Sequence, residues 1–172
     1  MLWKLRLFWY RLELGAVAFF AVAALVIGSL VAALLGVFAE RDARAADQRR
    51  LDEQSLACLA RNVYFEARGE PLAGQYAVAE VTMNRRGWGP FRKSVCAVVY
   101  EPGAFSWTAM RGLPEPAGKA WTSAQKVAEA VYWKRHEPTL NGARYYHATY
   151  VRPDWAKEKQ RVARIGQHVF YR

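Results

Sequence analysis

Twenty-five consecutive residues, Gly15 to Ala39, carry no charge, and no other feature limits the architecture as strongly. A helix of about 20 apolar residues crosses the hydrocarbon core of a bilayer, so this run predicts one transmembrane helix with some tilt. The expected layout is a short cytoplasmic N-terminus at 1–13, a transmembrane helix at 14–39, a polar stalk at 40–54 and one folded domain at 55–172. A secretory signal peptide is the competing reading, although its apolar core normally runs only about 7–15 residues. The small-residue site Ala43-Arg44-Ala45 keeps cleavage open as an alternative. Gly28, Ala32 and Gly36 fall on one helix face, a small-residue pattern that also permits a homodimer through the membrane helix.

Charge does not orient this span. Lys4, Arg6 and Arg11 precede it and Arg41, Arg44, Arg49 and Arg50 follow it, so the positive-inside rule favours neither direction. The net charge of +10 is spread along the chain and favours a polyanionic partner: nucleic acid, anionic lipid or a carboxylate-rich cell wall. No helix-turn-helix, zinc spacing or aromatic-basic RNA motif accompanies the charge, and a nucleic-acid partner is not expected. Cys58 and Cys96 belong to no metal-type cluster, so no metal site and no cofactor is expected. An exported domain would join them as a disulfide. That pair and the chemistry below place the folded domain on the periplasmic or extracytoplasmic side of the cytoplasmic membrane.

The domain reads as mostly helical. Leu56, Leu59, Ala60 and Val63 recur at helical spacing and predict a helix from about Asp52 to Ala67, capped by Gly69. A second helix is expected from about Pro71 to Arg85, stopping at Gly87-Trp88-Gly89-Pro90. A short third one runs from Ser94 to Tyr100 with Ser94 as its cap, and a fourth spans about Pro116 to Arg135. Phe105-Ser106-Trp107 reads as extended, and the segments Ala143–His147 and Gln167–Tyr171 read as strands able to pair. The sum is an α+β domain, mostly helical with a small antiparallel sheet.

Glu66 stands in the last turn of the first of these helices beside Tyr64 and Phe65, and one turn after Asn62 on the same face. An acid that donates a proton near neutral pH needs a raised pKa. Aromatic, partly desolvated surroundings and a helix C-terminus both disfavour its charged form. An ordinary solvated glutamate near a helix end fits the position equally well.

The run Asn62-Val63-Tyr64-Phe65-Glu66-Ala67-Arg68-Gly69-Glu70-Pro71 resembles the signature of the spore-cortex-lytic enzyme family of cell wall hydrolases, the SleB/CwlJ type. Further matches follow in order: Gly74–Ala79, Met83-Asn84-Arg85, Ser94–Tyr100, Phe105-Ser106-Trp107, Tyr145–Ala148 and Ile165–Phe170. The resemblance covers about Leu56 to Arg172. It implies a lysozyme-like catalytic domain that cuts peptidoglycan between N-acetylmuramic acid and N-acetylglucosamine, with Glu66 as the catalytic acid. It also implies a lytic transglycosylase, in which a single acid gives and then takes a proton. The alternatives are a hydrolase with a second carboxylate, for which Glu70, Glu101 and Asp154 are candidates, or a non-catalytic peptidoglycan-binding membrane protein. Ala104 departs from the Gln often found before Phe-Ser in such chains, and the wall-binding module of many relatives is replaced here, on this reading, by the membrane anchor.

Asn62, Trp107, Tyr146 and His147 are the expected substrate-binding residues, with Trp107 as the preferred sugar platform and Glu70 expected to pair with Arg68 or cap the second helix. Side chains alternate along a strand, so Tyr146 and His147 are not expected to enter one cleft together without a bulge.

Overall fold

The computed structural model describes residues 2–88 and 94–172, with side chains from Ala16 onward. The side chains of the flanking charges Lys4, Arg6, Arg11 and Glu13 are not among the described ones, and the Gly89-Pro90 part of the expected helix stop lies outside the described residues. The chain divides into two compact units, Met1–Arg49 and Arg50–Arg172.

Helix α1 (Leu2–Ala67) forms the first unit and opens the second. No separate helix starts near Asp52, because residues 40–52 contain neither Gly nor Pro and are dominated by good helix formers. Arg44 and Glu40 add an i, i+4 ion pair at 3.1 Å. In the first unit the large apolar side chains from Val17 to Phe38 are exposed. Among the described residues this is the one helix long and apolar enough to cross a membrane.

The second unit contains the end of α1, then α2 (Leu72–Arg86), α3 (Val95–Val99), a 3-10 turn at Ser106–Ala109, α4 (Gly118–Tyr132) and three strands. α1 stops at Ala67, where the Glu70 amide donates to the Ala67 carbonyl at 2.9 Å. Gly69 is therefore not a left-handed cap; it lies in that turn, and its φ is not among the positive ones. Pro71 precedes α2 as its N-cap rather than entering its first turn. Ser94 caps α3 as expected, its hydroxyl accepting from the Ala97 amide at 3.1 Å.

Two apolar clusters hold the unit together, and α2 contributes to both. Leu59, Val63 and Tyr64 of α1 meet Ala79 of α2, Val95 and Val99 of α3, Phe105, Trp107 and Ala124, Val127 and Ala128 of α4. On the other side Ala77 and Val81 pack with Leu140, Ala143 and Phe170. Fully burying a side chain such as Leu59 or Val63 contributes about 1.5–3 kcal/mol, as an upper estimate. The segment after α4 is pinned by buried Glu80. Its carboxylate accepts from the backbone amides of Thr139 and Leu140, each at 2.9 Å, and pairs with His136 Nε2 at 3.0 Å.

The sheet has the order β1-β3-β2 and is antiparallel, with β1 at Tyr145–Ala148, β2 at Arg161–Ile165 and β3 at His168–Tyr171. The pairing of the two expected strands is present, with Tyr146 opposite Phe170. β2 has no counterpart among the expected strands; a bulge between Arg161 and Ala163 disturbs the alternation that would mark it. Gly166 and Gln167 join β2 to β3, and Gly166 takes φ +55°. A Cβ at Gly166 would run into the Glu70 carboxylate, which accepts the Gln167 amide at 2.9 Å. Glu70 thus fixes the hairpin turn, and neither pairs with Arg68 nor caps α2.

Candidate active site

A cleft of about 490 Å³ opens between the end of α1, the 3-10 turn and the sheet. The last turn of α1 supplies Phe65 and Glu66, the end of α2 supplies Arg85, and the 3-10 segment supplies Phe105, Ser106 and Trp107. The strands and the turn after β1 supply Tyr146, His168, Tyr150 and Val151. Among the described residues lining it, Glu66 is the one carboxylate.

Glu66 is held by one strong contact: the Tyr146 hydroxyl donates to its Oε2 at 2.7 Å. Burial raises the Glu66 pKa above the ordinary 4.5, while the Tyr146 hydrogen bond and the Arg85 charge pull in the opposite direction. Desolvation is the largest of these effects, so the protonated form is favoured more than in a freely solvated glutamate. Tyr146 itself is driven well above its ordinary value by burial and by the Glu66 carboxylate, and stays a donor.

In the sequence Arg85 stands out only as part of a motif, yet it is central here. Its Nε donates to the Arg144 carbonyl at 2.7 Å and its Nη1 to the Ala104 carbonyl at 3.4 Å, and the guanidinium lies 5.0 Å from the Phe105 ring centre. Burial lowers its pKa, and the nearby Tyr146, Tyr145 and Glu66 act to restore it. The signal for it is the position of Arg85 near the end of α2, too common a placement to single out. His168 likewise stands out only as part of the Ile165–Phe170 motif: it is buried, its ring lies 5.0 Å from that of Tyr146, and its Nδ1 has no hydrogen-bond partner. Burial lowers the pKa of His168, so a neutral ring lines the cleft.

The other expected site residues divide. Trp107 lines the cleft but is only 7% exposed. It sits on the 3-10 turn rather than an extended segment, because Thr108 Oγ1 donates back to the Phe105 carbonyl at 2.8 Å and closes the turn. One face of its ring stacks on Phe65 with centroids 4.7 Å apart. Asn62 requires correction as a substrate contact. It is fully buried; its Oδ1 accepts from Trp107 Nε1 at 2.9 Å and its Nδ2 donates to Thr82 Oγ1 at 3.0 Å. It braces the wall of the cleft from behind.

His147 borders the cleft, but its ring stacks on Tyr171 at 5.3 Å and its Nε2 lies 2.9 Å from the Tyr171 hydroxyl. Strand alternation therefore sends Tyr146 to Glu66 and His147 to the opposite side of β1. Glu70, Glu101 and Asp154 are absent from the cleft lining. Cys58 and Cys96 form a disulfide with Cα atoms 5.2 Å apart, tying α1 to α3 one helical turn below Asn62. Among the described residues no group of three or more His, Cys, Asp or Glu side chains is placed to hold a metal.

A mostly helical domain with a small three-stranded antiparallel sheet is the fold this chain shares with the SleB catalytic domains. The catalytic domain of Bacillus cereus SleB superposes with a TM-score of 0.59 at 30% identity, covering 70% of this chain and 91% of that one. That of the germination-specific lytic transglycosylase SleB from Bacillus anthracis gives 0.58 at 30% identity, covering 69% and 93%. The chain belongs to the cell wall hydrolase family, which matches residues 69–171. It is also 32% identical over 133 residues to the spore cortex-lytic enzyme of Bacillus subtilis, covering 76% of this chain and 42% of that protein. For the spore cortex-lytic enzyme of Oceanobacillus iheyensis the identity is 32% over 124 residues, with 69% and 41% covered. The chain thus spans about two fifths of the length of these relatives. The family match begins at Gly69, three residues beyond Glu66, so the case for Glu66 rests on the geometry of the cleft.

Proposed function

We propose that this protein is a membrane-anchored enzyme that cleaves peptidoglycan glycan strands between N-acetylmuramic acid and N-acetylglucosamine, as a lytic transglycosylase with Glu66 as its single acid and base. The observation that carries this reading is the desolvated Glu66, the one carboxylate among the described residues of the cleft, oriented by Tyr146. With Oε2 engaged by Tyr146, Oε1 is the atom left to hold the proton. Glu66 gives that proton to the glycosidic oxygen as the bond to the anomeric carbon breaks. The resulting carboxylate, favoured by the nearby Arg85 charge, takes the proton of the muramic 6-hydroxyl, whose oxygen bonds to the anomeric carbon. Glu66 ends protonated, no water is consumed, and the product carries a 1,6-anhydro end.

Hydrolysis by two carboxylates would need a second acid about 5–9 Å across the cleft. Glu70 is occupied at the hairpin turn and Asp154 is fully exposed beside Lys157. The apolar run of α1 supports anchoring in the cytoplasmic membrane, and the Cys58–Cys96 disulfide supports an extracytoplasmic position for the second unit.

Digestion of purified peptidoglycan followed by mass analysis of the products tests the reading. Anhydro-muramic ends are expected, and reducing muramic ends would turn it into a hydrolase. Glu66→Gln should lower cleavage by about 10²–10⁴-fold, and activity within tenfold of wild type would remove Glu66 from the mechanism.

A further inference from the structure

The cleft has an apolar mouth that the chemistry at Glu66 does not use. Tyr150 is 83% exposed, Met110 57% and Val151 43%, and all three line the same cleft as Glu66. Three exposed apolar side chains gathered along one cleft, rather than scattered singly over the surface, mark a binding feature. Trp107, the ring expected to carry sugar, is nearly all buried, with one face on Phe65 and its N–H held by Asn62. The Tyr150 ring, by contrast, makes no ring stacking or hydrogen bond within the chain among the described residues.

The backbone that presents these side chains is fixed. The Val151 amide donates to the Ala148 carbonyl at 2.9 Å, and the Thr149 amide to the Gln167 carbonyl at 2.8 Å, so Tyr150 projects from a closed turn at the end of β1. The Met110 amide donates to the Trp107 carbonyl at 3.1 Å, which sets Met110 at the end of the 3-10 turn. The element that aims Tyr146 at Glu66 therefore also offers Tyr150 at the mouth, and the element that builds the Trp107 wall offers Met110.

We infer that Tyr150 and Met110 form a glycan-strand subsite outside the catalytic centre, with the Tyr150 ring under the apolar face of an N-acetylated sugar and Met110 against sugar or acetamido methyl carbons. The inference rests on the proposed peptidoglycan substrate. A pyranose offers C–H groups on one face and hydroxyls at its rim, so a flat ring gains area without having to satisfy hydroxyls. The continuity of this mouth with the cleft selects a polymer running through it over a separate protein partner. Such a subsite adds binding energy that is the same before and in the transition state, which moves KM and not kcat.

The test uses solubilised, uncrosslinked glycan strands and the full chain in detergent. Tyr150→Ala should raise KM by about fivefold or more with kcat within about twofold, and Met110→Ala should act in the same direction. Tyr150→Phe should keep the wild-type KM, because the ring and not the hydroxyl makes the contact. Sedimentation with intact sacculi in a Glu66→Gln background should show weaker retention when Tyr150→Ala is added. Unchanged KM and unchanged retention in Tyr150→Ala overturn the subsite, as does loss with Tyr150→Phe equal to that with Ala. If the wild type cleaves nothing but retention still depends on Tyr150, the cleavage reading fails and the subsite stands. If cleavage proceeds and retention ignores Tyr150, the reverse holds.

Discussion

The hydroxyl of Tyr146 donates to Oε2 of Glu66 at 2.7 Å, joining two residues eighty positions apart. This bond and the Arg85 charge hold the Glu66 pKa down against a burial that pushes it up. Both act on the charged form of the acid, which gives them a defined signature in pH dependence. Tyr146→Phe and Arg85→Gln should each move the alkaline limb of the activity profile to higher pH, because each removes a force favouring the carboxylate. The rate at the optimum should fall as well, since Glu66 loses its orientation or the stabilisation of its base form. A pH–rate profile whose alkaline limb stays in place or shifts downward in both variants would show that neither group favours the Glu66 carboxylate.

The same burial makes a stability prediction. The folded-state pKa of Glu66 is raised above the ordinary 4.5, so its contribution to stability is fully present below that value and is lost as pH rises through the folded pKa. Glu66→Gln has no charge to desolvate. Its melting temperature should match that of wild type in acid and exceed it increasingly toward neutral pH. Melting curves that stay parallel at every pH would mean that Glu66 is no more desolvated in the fold than in the unfolded chain.

Asn62 is fully buried between Trp107 and Thr82, and truncating it strands the Trp107 N–H away from water. Asn62→Ala should destabilise the domain by about 1–3 kcal/mol. It should also lower activity through Trp107, visible as a changed tryptophan emission in the folded variant. Full activity with an unaltered emission spectrum would show that the brace is dispensable.

The Cys58–Cys96 bond closes a separation of 38 residues between α1 and α3. Replacing both cysteines by Ser should cost roughly 3–4 kcal/mol of unfolding free energy, chiefly by releasing the unfolded chain. Denaturant unfolding with and without reductant measures it, and equal midpoints would mean that the bond constrains little.

Local patterns in the sequence determined the helices, since an apolar period of 3.6 survives in a single chain: the buried Leu59, Ala60 and Val63 lie where their spacing put them. Motif order likewise brought out Glu66, and the context of an exported domain brought out Cys58–Cys96. Short elements were harder to read. β2, five residues with a bulge, and the four-residue turn at Trp107 are too brief for any period to show.

What only the tertiary structure decided is which neighbours meet. Asn62 and Glu66 share a helix face, yet burial against Thr82 and Trp107 makes one a brace, while the other is the one carboxylate among the described residues that line the cleft. Arg85 and Tyr146 reach Glu66 from α2 and β1, and Glu70 is drawn to the Gln167 amide ninety-seven residues later. Such pairings depend on the packing of elements distant in sequence. No local spacing encodes them, because the energy that selects them is the burial shared by the whole domain.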